Sequence, residues 1–125
     1  MLVSLDTSDA TPIYAQVERS LRAAIAAGRL KPGDQLPTVR ELAVELKVNA
    51  NTIARVYSEL ERAGVFETRR GVGTFVRASR AEARPASEHA RRLRAFATRV
   101  LADGDAHGFN ADDVIGALRA HRSMK

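Results

Sequence analysis

Between Thr38 and Arg62 the chain reads TVRELAVELKVNANTIARVYSELER, two helices with room between them only for a sharp corner. Thr38 and Glu41 have capping-box spacing: the hydroxyl accepts from the glutamate N–H, and the carboxylate reaches back to the threonine N–H. Val39, Leu42, Ala43 and Leu46 recur three and four apart, so one face of the first helix is apolar. Lys47-Val48 ends it. Asn49 is a strong N-cap for the second helix, and Val48 and Ile53 stand at hydrophobic-staple spacing around it. Ile53, Val56, Tyr57 and Leu60 make the buried face of that helix, and Gly64 is placed to terminate it. The pattern predicts a helix-turn-helix.

Ala50, Asn51, Thr52 and Arg55 are left outside on the first turn and a half, with no acid before Glu59. Recognition helices read bases with their N-terminal residues, Asn suiting adenine and Arg suiting guanine. A solvated polar face is the commoner explanation for an isolated trio of Asn, Thr and Arg. Two capped helices around a tight corner turn the balance toward DNA. For Arg55 alone there is a competing structural reading, since Glu59 stands at the i+4 spacing of a helix ion pair.

Composition narrows the alternatives. With 125 residues, 45% of them apolar, the chain can enclose one modest core, with an appendage at most. Cysteine is absent, which excludes disulfides, Cys-based zinc fingers and thiol nucleophiles. No apolar run approaches a membrane span, and Asp6 and Asp9 interrupt the N-terminus where a secretory signal would need an apolar stretch. The expected location is therefore cytoplasmic, with no membrane partner. The net charge of +5 is concentrated: between Thr68 and Arg99 nine arginines face only Glu82 and Glu88, a local balance of +7. A basic stretch of this kind suits phosphates, although a solubilising surface is the commoner explanation when it is taken alone.

Taken in order, Met1 to Ala10 reads as a loose lead-in. Thr11-Pro12 reads as an N-cap followed by proline at the first helical position. Ile13, Val17, Leu21, Ala24 and Ile25 form one apolar face, and Gly28 stops the helix. Tyr14, near its start, is expected in the core or at its rim rather than stacked on a base. A Pro-Gly turn at Pro32-Gly33 leads through Leu36-Pro37 into the Thr38 cap. Beyond the helix pair, Val65 to Arg69 and Thr74 to Arg77 read as two strands joined by Gly71-Val72-Gly73. A hairpin directly after a recognition helix is a wing, with Arg69 and Arg70 at its tip against phosphates or in a minor groove.

PIYAQV, GRLKPGDQLPTVRELAVEL and VNANTIARVYSELERAGVFETRRGVGTFV together resemble the DNA-binding domain of the GntR family of bacterial transcription regulators, continuously from about Pro12 to Val76. The resemblance implies a winged helix-turn-helix that binds operator DNA as a homodimer. It implies DNA contacts from Arg40 on the first helix of the pair, from Asn51, Thr52 and Arg55 on the second, and from Arg70 and Gly71 in the wing. Where family members usually carry Ser-Arg or Thr-Arg, this chain has Asn49-Ala50. A guanine contact is thereby missing, and the operator sequence is not transferable from relatives.

The expected organisation is a mainly α fold with a small β-hairpin. A winged helix-turn-helix over residues 1–77 leads through a polar linker, 78–86, to a helical segment, 87–125. Ser87 is a candidate cap for a fourth helix that Gly104 and Gly108 break. Asn110 caps a fifth, with Asp112 and Asp113 at its positive end and Phe109 and Val114 at staple spacing. Leu93, Phe96, Val100, Leu101, Val114, Ile115 and Leu118 give these helices an apolar side that two short helices cannot enclose by themselves. That side must meet the winged domain or a second copy, and a dimer seam is the expected use. A small-molecule effector at that seam is compatible with the residues, but none of them specifies its chemistry. The short tail, ending HGFNADDVIGAL, resembles the YtrA subfamily, whose members commonly repress operons for transport systems.

Nothing points to catalysis. His89, His107 and His121 lack zinc-site spacing, and Asp103, Asp105, Asp112 and Asp113 lack an EF-hand pattern, so neither metal nor cofactor is expected. No nucleophile motif is present. The alternative to a regulator is an architectural DNA-binding protein without operator specificity.

Overall fold

The computed structural model describes residues 2–77 and 86–124. The described residues fall into two compact units, one holding residues 2–77 and the other residues 86–123. The first contains α1 (Ile13–Ala26), α2 (Val39–Leu46), α3 (Ala50–Arg62), β1 (Phe66–Arg69) and β2 (Gly73–Val76). The second contains α4 (Ala86–Ala106) and α5 (Ala111–Ser123). Residues 78–85, most of the expected linker, lie outside the described residues, and Ala86 already belongs to α4.

The α2–α3 pair begins as its sequence dictates. Thr38 accepts from the Glu41 N–H at 3.1 Å and donates its own N–H to the Glu41 carboxylate at 2.9 Å. Those bonds hold the Glu41 carboxyl below the usual carboxylate range. Asn49 caps α3 by accepting from the Asn51 N–H at 2.8 Å. At the other end of α3, Gly64 at φ 80° donates to Glu61 O and Val65 donates to Leu60 O, a Schellman closure. Helix α2 ends in the same pattern, with Val48 N–H on Ala43 O, but the left-handed position is held by Lys47 at φ 57°. The corner between the helices is thus Lys47-Val48-Asn49.

Val17, Leu21 and Ala24 of α1, Leu42 and Ala43 of α2, and Ile53, Val56, Tyr57 and Leu60 of α3 meet in one core. Phe66 and Val76 close it from the wing, where they face each other across the antiparallel register. Tyr57 meets the Phe66 ring edge-on at 5.4 Å and donates its hydroxyl to Pro37 O at 2.7 Å. Burial, with the Glu41 carboxylate adding to it, pushes that hydroxyl far above its ordinary pKa, so it remains a donor.

Three expectations need correction. Residues 2–10 are not a loose lead-in, because Val3 is fully buried and Leu2 and Leu5 pack on the core. Gln16 clamps this arm: its side chain accepts from Asp6 N–H at 2.8 Å and donates to Asp6 O at 3.0 Å and Thr11 O at 2.9 Å. Thr11 is not the N-cap of α1. Pro12 takes that position, since its carbonyl receives Ala15 and Gln16 N–H, while the Thr11 N–H is held by Asp9 Oδ1. Nor does Ser87 start α4 or Gly104 break it, since the helix runs from Ala86 through both to Ala106. One glycine costs about 1 kcal/mol relative to alanine, too little to end a helix whose closure waits at Gly108.

Replacing Gln16 with Leu is expected to lower unfolding free energy by about 1–2 kcal/mol, as the bonds it makes are lost and the arm's polar groups return to water. Native-state hydrogen exchange checks the cause: the Asp6 amide should exchange much faster in the variant. An unchanged Asp6 amide would contradict the clamp.

Candidate nucleic-acid interface

Helix α3 puts its four core residues on one side and leaves Asn51, Ala54, Arg55 and Ser58 exposed on the other. Asn51 is fixed by the cap through its backbone, and its amide group projects from the first turn. Thr52 is half-buried beside it. The helix N-terminus adds a positive end of its dipole to this surface, with no acid in the first turn. Arg40 is exposed at the second residue of α2, just inside the capping box.

Arg55 is held from two sides. Its guanidinium carbon lies 4.0 Å from the centroid of the Tyr14 ring, and its Nε is 3.2 Å from Glu59 Oε1. Its side chain is still 56% exposed, so it remains open to a ligand. The i+4 spacing of Glu59 made that partner legible in the sequence. Tyr14, on a different helix, carried no local signal beyond its place at the core's rim, where it sits half-buried.

The wing is a two-stranded hairpin with Phe66 opposite Val76 and Arg69 opposite Gly73. Its tip, Arg69-Arg70-Gly71-Val72, is a turn closed by Val72 N–H on Arg69 O at 3.0 Å. Gly71 occupies the third position with φ 77°, which an L side chain adopts only under strain. Arg69 folds back onto the hairpin, stacking 4.2 Å from the Phe75 ring centroid and 3.8 Å from Glu67. Arg70 is exposed at the turn.

Gln35 was not anticipated. The segment Asp34–Leu36 runs along the free edge of β2, with Leu36 N–H on Thr74 O and Val76 N–H on Asp34 O, both 2.8 Å. From there Gln35 donates to Val72 O at 3.1 Å. Gly73 makes room: a Cβ there would lie 2.5 Å from Gln35 Nε2. The wing is therefore braced against the approach to α2, and the contact spans 37 positions in sequence.

In the second unit, Asn110 and Asp113 cap α5 reciprocally, each accepting the other's N–H at 2.9 Å. No described residue of α4 or α5 is buried. Leu93, Phe96 and Leu118 keep more than half their surface exposed, Leu101 and Ile115 are also exposed, and Val100 and Val114 are half-buried. Phe109, Val114, Ala117 and Leu118 line an open apolar groove edged by Asp113 and His121.

Among the described residues no group of His, Asp and Glu is placed to hold a metal ion. No described helix is long and apolar enough to cross a membrane.

Residues 13–76 match the sequence profile of "Bacterial regulatory proteins, gntR family". The chain is 44% identical over 75 residues to the HTH-type transcriptional repressor YtrA of Bacillus subtilis, covering 60% of this chain and 58% of that protein. The matched stretch spans between 54% and 60% of the length of such curated relatives. Among solved structures, YtrA from Sulfolobus acidocaldarius, described as a GntR-family transcription factor, superposes with a TM-score of 0.59 at 33% identity, covering 82% of this chain and 99% of that one. The AraR DNA-binding domain in complex with operator ORE1 gives a TM-score of 0.51 at 30% identity, covering 61% of this chain and 93% of that one.

Proposed function

The chain belongs to the GntR family of bacterial regulatory proteins, as a YtrA-like member, and from that premise we propose that it represses transcription as a homodimer on a palindromic operator. It is a regulatory protein, not an enzyme. One observation carries the DNA reading: α3 buries Ile53, Val56, Tyr57 and Leu60 and leaves a capped first turn of small polar residues and Arg55 in solvent. That is the surface a recognition helix inserts into a major groove. Asn51, Thr52 and Arg55 face base edges in this reading, Arg40 reaches DNA from α2, and Arg69, Arg70 and Gly71 bring the wing to phosphates or a minor groove. The similar AraR DNA-binding domain, solved in complex with operator ORE1, supports DNA as the partner of this fold.

The apolar side of α4 and α5, bearing Leu93, Phe96, Val100, Leu101, Val114, Ile115 and Leu118, is assigned to pairing with a second copy. In this reading residues 1–77 are the DNA-binding domain, 78–85 the linker, and α4 with α5 the dimerisation segment. Its place of action is the cytoplasm, and the target in keeping with the YtrA resemblance is a transport operon.

Salt dependence tests the phosphate part. The logarithm of affinity should fall steeply with the logarithm of salt concentration, by roughly 0.9 per phosphate neutralised. Arg70→Ala should reduce that slope by about 1 per protomer and weaken specific and non-specific DNA alike, since a phosphate contact carries little sequence information. A flat salt response would remove the DNA reading, and loss of the specific site alone would show the wing reading bases.

A further inference from the structure

We propose that Tyr14 and Glu59 are positioning residues that present Arg55 end-on to a guanine in each operator half-site. The inference rests on the DNA-binding reading above and adds to it which base is read and what aims the reader. Tyr14 stacks under the guanidinium at 4.0 Å from α1, and Glu59 takes Nε at 3.2 Å from one turn further along α3. With Nε occupied, the free edge is the pair of terminal nitrogens. Their two N–H groups match the O6 and N7 acceptors of guanine in the major groove.

The same geometry argues against a phosphate. A phosphate on Arg55 would bring a second anion beside the Glu59 carboxylate, and the pair has already neutralised the guanidinium's charge. A base edge is uncharged and carries no such penalty. An exposed ion pair of this kind contributes little to stability, so a purely structural role leaves the arrangement with little to do. Arg55 is also the only arginine in α3 before Arg62. Asn51, one turn earlier on the same exposed face, is placed to read the neighbouring base pair. An arginine stacked and tethered in advance loses less freedom on contact than one that searches.

The test uses the full chain and its own selected site, with each base pair of the half-site changed in turn. Arg55→Ala should abolish discrimination at one G·C pair per half-site. Tyr14→Leu and Glu59→Ala should each reduce discrimination at that same pair about tenfold and leave the other positions unchanged. Tyr14→Phe, which keeps the ring, should retain it. Glu59→Gln keeps an acceptor for Nε and removes the anion, so it should retain discrimination while binding non-specific DNA more tightly. Glu59→Ala, at a surface position, keeps the test open if Tyr14→Leu does not fold. Unchanged discrimination in both variants, or an even loss at every position, overturns the proposal while the regulator reading stands. A wild-type chain with no site preference overturns both.

Discussion

A chain ending after Arg77 is expected to fold, to sediment as a monomer, and to bind a twofold operator about 100-fold or more weakly than the full protein. Folding should survive because the residues of the core lie between Val3 and Val76, and none of the described residues of α4 or α5 is buried. Arg77 is retained because its N–H bonds to Val65 O at 2.9 Å, one rung beyond the Phe66–Val76 pair of the hairpin. Dimerisation should be lost because the exposed Leu93, Phe96, Leu101, Ile115 and Leu118 leave with the tail. Burying one large apolar side chain contributes about 1.5–3 kcal/mol, so a handful per protomer suffices to hold two chains together against the entropy of association. Once the chains part, the second half-site no longer benefits from being tethered to the first, and that coupling is worth factors of about 100 to 10,000. Sedimentation measurements on both chains, paired with operator titrations, give the result directly. A truncated chain that stays dimeric with undiminished affinity would move the seam into the winged unit.

Phe66→Ala is expected to cost about 3–5 kcal/mol of unfolding free energy. Phe66 is among the largest fully buried side chains, and it joins β1 to the core by meeting Tyr57 edge-on. Its loss leaves a cavity beneath the wing and removes the support of the ring whose hydroxyl bonds Pro37 O ahead of α2. A domain of this size holds on the order of 5–10 kcal/mol in total, so about a third or more of the folded state's margin disappears. Urea denaturation should show a much lower midpoint with the slope preserved. An unfolding free energy within about 1 kcal/mol of wild type would mean that the wing does not depend on this anchor.

What the sequence revealed follows the range of the interactions. The Thr38–Glu41 box, the Asn49 cap and the Gly64 closure are bonds between residues two to five apart, and each was legible from residue type and spacing. The apolar period of α3 is equally local, and Ile53, Val56, Tyr57 and Leu60 are buried as spaced. The N-terminal arm was not legible, because its order depends on Gln16 reaching back 10 positions to Asp6 and on Val3 finding a core built elsewhere. Thr11 shows a local preference overruled: Asp9 claims its N–H and Gln16 its carbonyl, so it lies outside the helix.

The candidate interface divides in the same way. Residue types, exposure and the Glu59 partner could be read from α3 alone. The stacking of Tyr14 under Arg55 and the brace from Gln35 to the wing could not, since each joins segments tens of positions apart. The first holds the Arg55 side chain and the second braces the wing.

Repression as proposed requires α3 to read a defined sequence, twice, from a symmetric pair. Selection of bound fragments from random or genomic DNA by the full chain tests this most directly. The expected result is one enriched motif with twofold symmetry, its half-site centres about one helical turn, roughly 34 Å, apart. Retention of DNA with no enriched motif, and uniform protection in footprints, would contradict it and leave an architectural DNA-binding protein instead.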